Sequence, residues 1–308
     1  MQPSVMMVYL LSGFVLLDTL PFFCTAFKSS VIPCQSATKV FCKSTLFSAR
    51  NCLQMTLIRT KSTKGLNKDI RKVRQHVNPL AAAYQRPVQL PENWIEEWYE
   101  NPKLPFHVDI GCAKGLFPLQ MAQHDPGRNF LGLEIRKALV EHANEEYVKG
   151  KGVHNLRYLQ CNANVDLAAL LRDINAVSHV ARVSIQFPDP HFKKKHHKRR
   201  VMKPGLAKTI GKFLDPQGEL FMQGDIFEVM AEMREVARAE PRLYDTAAPS
   251  HWREGPESNP LPVPTERELY VYRKGGDVYR MVFKKKPDFV EPGDEEEDKE
   301  QKGPVFCW

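Results

Sequence analysis

The 308-residue sequence has no Cys-x-x-Cys pair and no His/Cys cluster at zinc-ligand spacing, so a structural metal is not expected. Its seven cysteines are an odd number without framework spacing, which argues for reduced thiols and against a disulfide scaffold. Neither G-x-G-x-x-G nor G-x-x-x-x-G-K-[ST] occurs, so the usual glycine motifs for pyrophosphate and triphosphate are missing. Acidic residues are scarce at the start, with Asp18 alone ahead of Asp69. The apolar run Val5 to Leu17 is broken by Ser12 and Gly13 and falls short of the roughly 20 residues a span needs, so stable membrane association is not expected.

What fills residues 1–64 is basic and hydroxylated. Lys28, Lys39, Lys43, Arg50, Arg59, Lys61 and Lys64 are scattered among serines and threonines, the composition of an organellar transit peptide. A chloroplast or mitochondrial destination is expected. A secretory h-region or weak anchor at Val5 to Leu17 is the competing reading, although no basic segment precedes it. Residues 65–105 read as a lead-in arm, with a basic Arg71 to His76 and a short helix whose Trp94, Trp98 and Tyr99 can pack on a core. Residues 287–308 form an acidic tail whose composition predicts disorder.

Between them, residues 106–286 alternate strand and helix. Strands are predicted at His107 to Ile110, Asn129 to Glu134, Leu156 to Cys161, Val180 to Gln186, Gly218 to Met222 and Asp277 to Lys285. Helices are predicted at Leu116 to His124, Lys137 to Lys149, Leu167 to Asp173, Gly205 to Phe213, Ile226 to Ala239 and Glu266 to Arg273. Such alternation implies an α/β fold with a mostly parallel sheet covered by helices on both faces.

The turn after the first strand, Gly111-Cys112-Ala113-Lys114-Gly115, is preceded by the acid Asp109. Without phosphate-binding spacing, this suits a ligand that carries an ammonium group and no phosphate. Glu134 closes the second strand, where a carboxylate can accept both hydroxyls of a ribose. S-adenosyl-L-methionine meets these demands, and NAD is the competing cofactor.

A second feature is Phe187-Pro188-Asp189-Pro190, followed at once by the cationic run Lys193 to Arg200. The prolines fix φ and push their predecessors out of the helical region, so the segment reads as a stiff, extended loop at a strand's carboxyl end. Asp189 in a Pro-Asp-Pro turn can be plain turn chemistry, and a charge run can be a solvated face or an import signal. Together, a fixed carboxylate beside a polycation points to chemistry on a polyanion. The formal net charge of +8 agrees with an anionic partner without naming it.

These segments resemble the tRNA (guanine-N7-)-methyltransferases, of the bacterial and organellar type. The likeness lies in Val108 to Gly115, Leu131 to Arg136, Cys161-Asn162-Ala163 and Phe187 to Arg200, with Arg74 to Leu80 and Pro264 to Glu268 as flanking motifs. It implies a Rossmann-like methyltransferase sheet of seven strands, the last antiparallel, with S-adenosylmethionine as cofactor and a variable-loop guanine of tRNA as substrate. By motif position, Asp189 is the catalytic aspartate. Asp109, Gly111, Gly115, Glu134, Arg136, Asn162 and Ala163 fall on cofactor positions. Lys193, Lys198, Arg199, Arg200, Asp225, Thr265 and Glu268 fall on substrate positions. Many bacterial members place an Asp near Asn162, so that contact is expected to differ. Some eukaryotic relatives need a WD-repeat partner; the leader favours a chain that acts alone. Two alternatives stand beside this one: a small-molecule methyltransferase with a merely solvated basic loop, and a non-catalytic RNA-binding module.

Overall fold

The computed structural model describes residues 73–247, 252, 255–287 and 289. The expected leader (1–64), the first part of the arm and most of the acidic tail lie outside the described residues.

Seven strands form one sheet: β1 (Phe106–Ile110), β2 (Asn129–Glu134), β3 (Leu156–Gln160), β4 (Val180–Gln186), β5 (Leu214–Gly224), β6 (Leu243–Asp245) and β7 (Tyr279–Lys285), ordered β3-β2-β1-β4-β5-β7-β6. Pairings from β3 to β5 are parallel, and β7 runs antiparallel between β5 and β6. All residues of β1 and β2 are buried, as expected where helices cover both faces and strands read as continuous apolar runs. This is the Rossmann-like methyltransferase sheet the resemblance implied.

The helices are α1 (Trp94–Trp98), α2 (Leu116–His124), α3 (Lys137–Ala143), α4 (Ala163–Val177), α5 (Pro204–Phe213), α6 (Phe227–Arg238) and α7 (Glu266–Arg273). On α4, Leu167, Leu170, Leu171 and Ile174 recur at helical spacing and face the core. That helix begins earlier than its apolar pattern does, because Oδ1 of Asn162 caps it by accepting from the Asn164 amide at 3.1 Å. Three-residue β6 has too short a pattern to be read from sequence and exists by pairing with β7. Lys137 to Lys149 is not one α-helix, since its second half, Asn144–Lys149, is a π-helical turn.

The arm belongs to the core. Trp94, Ile95 and Tyr99 are buried with the sheet residues, and the Trp94 indole donates to Asp173 at 3.1 Å. The Tyr99 hydroxyl donates to the Phe130 carbonyl at 3.1 Å, and the Val88 amide donates to Asp166 at 2.8 Å. Each aromatic thus buries its ring and still finds a partner for its polar end.

Strand order reverses between β1 and β4, which opens a crevice beyond their carboxyl ends. Asp109, Glu134, Gln186 and Asp225 all stand at or just past strand ends on this edge.

Candidate active site

A cleft of about 820 Å³ occupies the crevice, and it holds residues of both sequence motifs. One end is the turn after β1. Gly111 and Gly115 have φ of +82° and +78°, and Ala113 between them is left-handed at +51°. The turn is tied to the second strand by Gly111 and Cys112 amides donating to the Leu133 carbonyl at 2.8 and 3.0 Å. Gly111 has open space where a side chain would stand, so its conformation is what demands glycine.

Gly115 has a different reason. A Cβ there would meet the Tyr158 ring at 2.5 Å, and the Tyr158 hydroxyl donates to its carbonyl. Gly115 caps α2 beneath that ring and is not among the residues that line the cleft.

Asp109 is buried. Its Oδ1 accepts from Ser184 Oγ at 2.6 Å and from Gln186 Nε2 at 3.1 Å. Because the Ser184 proton points to Asp109, neutral His107 donates from Nε2 to Ser184 at 2.8 Å. That leaves His107 Nδ1 buried without a partner. Burial pushes the Asp109 carboxyl up to about 6, against the Ser184 and Gln186 bonds that favour its charge, and the nearby Glu134 adds to the rise. Burial likewise raises the Cys112 and Cys161 thiols, so both stay protonated at the cleft wall.

Glu134 is held by Arg136 in a fork, Nε to Oε1 at 2.9 Å and an Nη to Oε2 at 2.8 Å. The Ala113 and Arg136 amides also donate to it, both at 3.0 Å. Asn162 and Ala163 line the same end, and Asn162 Nδ2 donates to the arm at Tyr84 (3.0 Å) and Pro79 (3.2 Å). Two acids and a left-handed backbone turn, with the Arg136 guanidinium engaged by Glu134, fit a ligand that carries an ammonium and a ribose.

At the other end stands Asp189. Phe187 and His191, at φ +48° and +43°, bracket the Pro-Asp-Pro segment in a left-handed conformation that bulky residues rarely adopt. Oδ2 of Asp189 lies 2.5 Å from Nδ1 of His76 in the arm, and Oδ1 accepts from the His191 amide at 3.3 Å. His76 lies within the flanking motif Arg74 to Leu80, yet no local pattern gave it a part in the site. The basic run is not extended as expected: Lys194–Arg199 makes a short 3-10 helix. Lys193 and Lys198 are exposed on this loop, and Phe192 is 73% exposed at the cleft rim. Arg199 lines the cleft with a buried Nε that has no partner.

Two expected substrate residues are buried and paired within the protein. Arg200 is buried, donates to the Pro190 carbonyl at 2.9 Å and pairs with Glu232, so it braces the loop. Glu268 is 1% exposed, pairs with Arg280 at 2.6 Å and closes a capping box with Thr265. Thr265 and Asp225 do line the cleft, and Asp225 is bonded there to Arg267 at 2.5 Å. Ser184 and Gln186 were not expected in the site, although the alternation on β4 put polar side chains at 182, 184 and 186. Among the described residues, no group of three or more His, Cys, Asp or Glu could hold a metal, and no helix is long and apolar enough to cross a membrane.

Residues 103–281 match the family model described as "Putative methyltransferase". A tRNA (guanine-N(7)-)-methyltransferase of Synechococcus elongatus is 47% identical over 216 residues, covering 70% of this chain and 97% of that one. Its Nostoc counterpart of the same name is 46% identical over 214 residues, covering 70% and 94%. A third, from another Synechococcus strain, is 44% identical over 216 residues, covering 69% and 87%. With more than half its length in the family model and such identity across nearly whole relatives, this chain belongs to the tRNA (guanine-N(7)-)-methyltransferase family.

Proposed function

We propose that the chain transfers a methyl group from S-adenosylmethionine to N7 of a variable-loop guanine in tRNA. The observation that carries this reading is one cleft with the buried acids Asp109 and Glu134 at one end and a proline-braced carboxylate, Asp189, beside an exposed cationic loop at the other. When bound, S-adenosylmethionine supplies an electrophilic methyl on a positively charged sulfur.

Asp109 takes the ammonium, aligned by Ser184 and Gln186. Glu134 takes the ribose hydroxyls, its fork to Arg136 giving up acceptor sites in exchange. Asn162 and Ala163 bound the adenine end. On the substrate side, guanine N7 already carries an in-plane lone pair, so no base is needed to remove a proton from it. Alignment and electrostatics therefore carry the rate. Asp189 accepts from guanine N1–H and the exocyclic amine, and its fixed negative charge favours the cationic purine that forms. His76 holds the same carboxylate oxygen, so the incoming base exchanges with that bond.

Lys193 and Lys198 bind phosphates and add affinity without choosing a base. Arg199, which lines the cleft, contributes there too. Thr265 and Asp225 line the same cleft. Phe192, exposed beside the acid, is suited to stack on a nucleobase. The leader directs the chain to a chloroplast or mitochondrion, and the chain works without a WD-repeat partner.

The test is to incubate the purified chain alone with tRNA and S-adenosylmethionine and map N7-methylguanine by reverse transcription. A single modified variable-loop guanine is expected. Methylation of a metabolite pool with none on tRNA would overturn the substrate, and activity only after a WD-repeat protein is added would overturn the single-subunit reading.

A further inference from the structure

Gln223 of β5 uses its whole carboxamide inside the protein. Nε2 donates to Gln186 Oε1 at 2.8 Å and to Glu268 Oε2 at 3.3 Å, while Oε1 accepts from Arg280 Nε at 2.9 Å. Each partner carries the line onward. Gln186 donates to Asp109 at 3.1 Å. Arg280 donates to Glu268 at 2.6 Å, to the Tyr272 hydroxyl at 2.8 Å and to the Gly255 carbonyl at 2.7 Å. Glu268 accepts from the Thr265 amide at 3.3 Å and so fixes the first turn of α7. An unbroken file of side chains thus runs from the acid on β1, across β4 and β5, to the helix whose start walls the cleft.

Gln223, Glu268 and Arg280 are at most 1% exposed. Polar groups this deep are costly unless every one is paired, and none of these side chains has an unpaired buried atom. Only an amide fits the central place, since it must donate twice and accept once. A carboxylate would face Glu268 without a donor, and an apolar residue would strand Arg280 Nε and Gln186 Oε1. An all-apolar file of the same volume could be equally stable, so fold stability alone does not call for this arrangement.

We propose that Gln223 is a positioning residue that orients Asp109 through Gln186 and ties that orientation to α7 through Glu268, so that cofactor and nucleic acid bind the cleft with positive coupling. The coupling half rests on the proposed tRNA reading; the orienting half does not.

The experiment is calorimetry of the full chain with S-adenosylhomocysteine, with and without tRNA, for wild type, Gln223→Leu, Gln186→Leu and the double variant. Each single variant should weaken S-adenosylhomocysteine binding by about tenfold, the scale of one stranded buried polar group. The double should be little worse than either single, because both break the same file. Unchanged affinity in Gln223→Leu, or effects that multiply fully in the double, would overturn the orienting role. In wild type, tRNA should tighten S-adenosylhomocysteine at least about fivefold, the lower range of allosteric coupling, and Gln223→Leu should abolish this. A wild type with no tightening, while tRNA binds, overturns the coupling. A tRNA that does not bind at all refutes the substrate reading instead, and the cofactor measurements still decide the place of Gln223. Unfolding midpoints are recorded in parallel, and if Gln223→Leu does not fold, Gln223→Met, unbranched and of similar length, replaces it. A variant with a lowered midpoint but wild-type affinity marks a merely structural residue and ends the proposal.

Discussion

Nδ1 of His76 lies 2.5 Å from Oδ2 of Asp189, joining residues 113 positions apart. The contact brings the arm over the catalytic candidate and occupies one of its two carboxylate oxygens. Asp189→Asn should leave S-adenosylhomocysteine affinity within about twofold of wild type and slow single-turnover methyl transfer by roughly 10²-fold or more, the effect of losing one preorganised electrostatic group. Near wild-type turnover in Asp189→Asn would reduce the residue to a turn former.

Binding should depend on pH with Asp109 as the proposed ammonium partner. With its carboxyl pushed up to about 6, it is ionised above that value and largely protonated at pH 5. An ammonium-bearing ligand needs the ionised form, so S-adenosylhomocysteine affinity should be flat from pH 7 to 8 and fall toward tenfold weaker per unit below about pH 6. Calorimetry across that range in wild type and Asp109→Asn checks it, since the variant should bind weakly with no such slope.

Stability should move the other way. An acid whose native value exceeds its unfolded value of 3.8 binds more protons when folded, so its contribution falls as pH rises from about 4 through 6. The resulting destabilisation at pH 7 is on the order of 3 kcal/mol, because each tenfold difference in proton affinity between the folded and unfolded chain is worth roughly 1.4 kcal/mol. Asp109→Asn, which keeps an oxygen for Ser184 and Gln186, should therefore unfold at higher urea than wild type at pH 7. The gain should shrink as pH drops toward 4.

Gly115→Ala combines a left-handed φ of +78° with a clash against Tyr158 at 2.5 Å. It should destabilise by about 2–4 kcal/mol in denaturant unfolding, since strain and overpacking add. Gly111→Ala meets no neighbour, so it should cost less stability, about 1–2 kcal/mol from backbone strain alone.

Exposed and buried cations should separate in salt titrations. Neutralising Lys193 and Lys198 should lower the slope of log affinity for tRNA against log salt by roughly 1 to 2 in total, as each phosphate contact contributes somewhat under one. Arg200→Ala should instead lower the unfolding midpoint, because Glu232 and the Pro190 carbonyl lose their partner. An unchanged slope in the lysine variants would remove the loop from the nucleic-acid face.

Local chemistry was legible in the sequence. The alternation of apolar strands and amphipathic helices prescribed the sheet, because periodicity records which face each element buries. The glycine turn, the acids at the ends of the first two strands and the acid between two prolines were also readable, since each depends on neighbours in the chain. Tertiary structure alone decided which charges are free. Arg199 and Arg200 look alike in sequence, yet Arg199 lines the cleft and Arg200 is held by Glu232, which arrives from another helix. Glu268 sits in a motif beside Thr265, but Arg280, from the last strand, claims its carboxylate. The β6 pairing, the meeting of His76 with Asp189 and the file through Gln223 are also absent from any local pattern. A side chain's partner is set by which strand ends the fold brings together, and composition and spacing carry no record of distance in space.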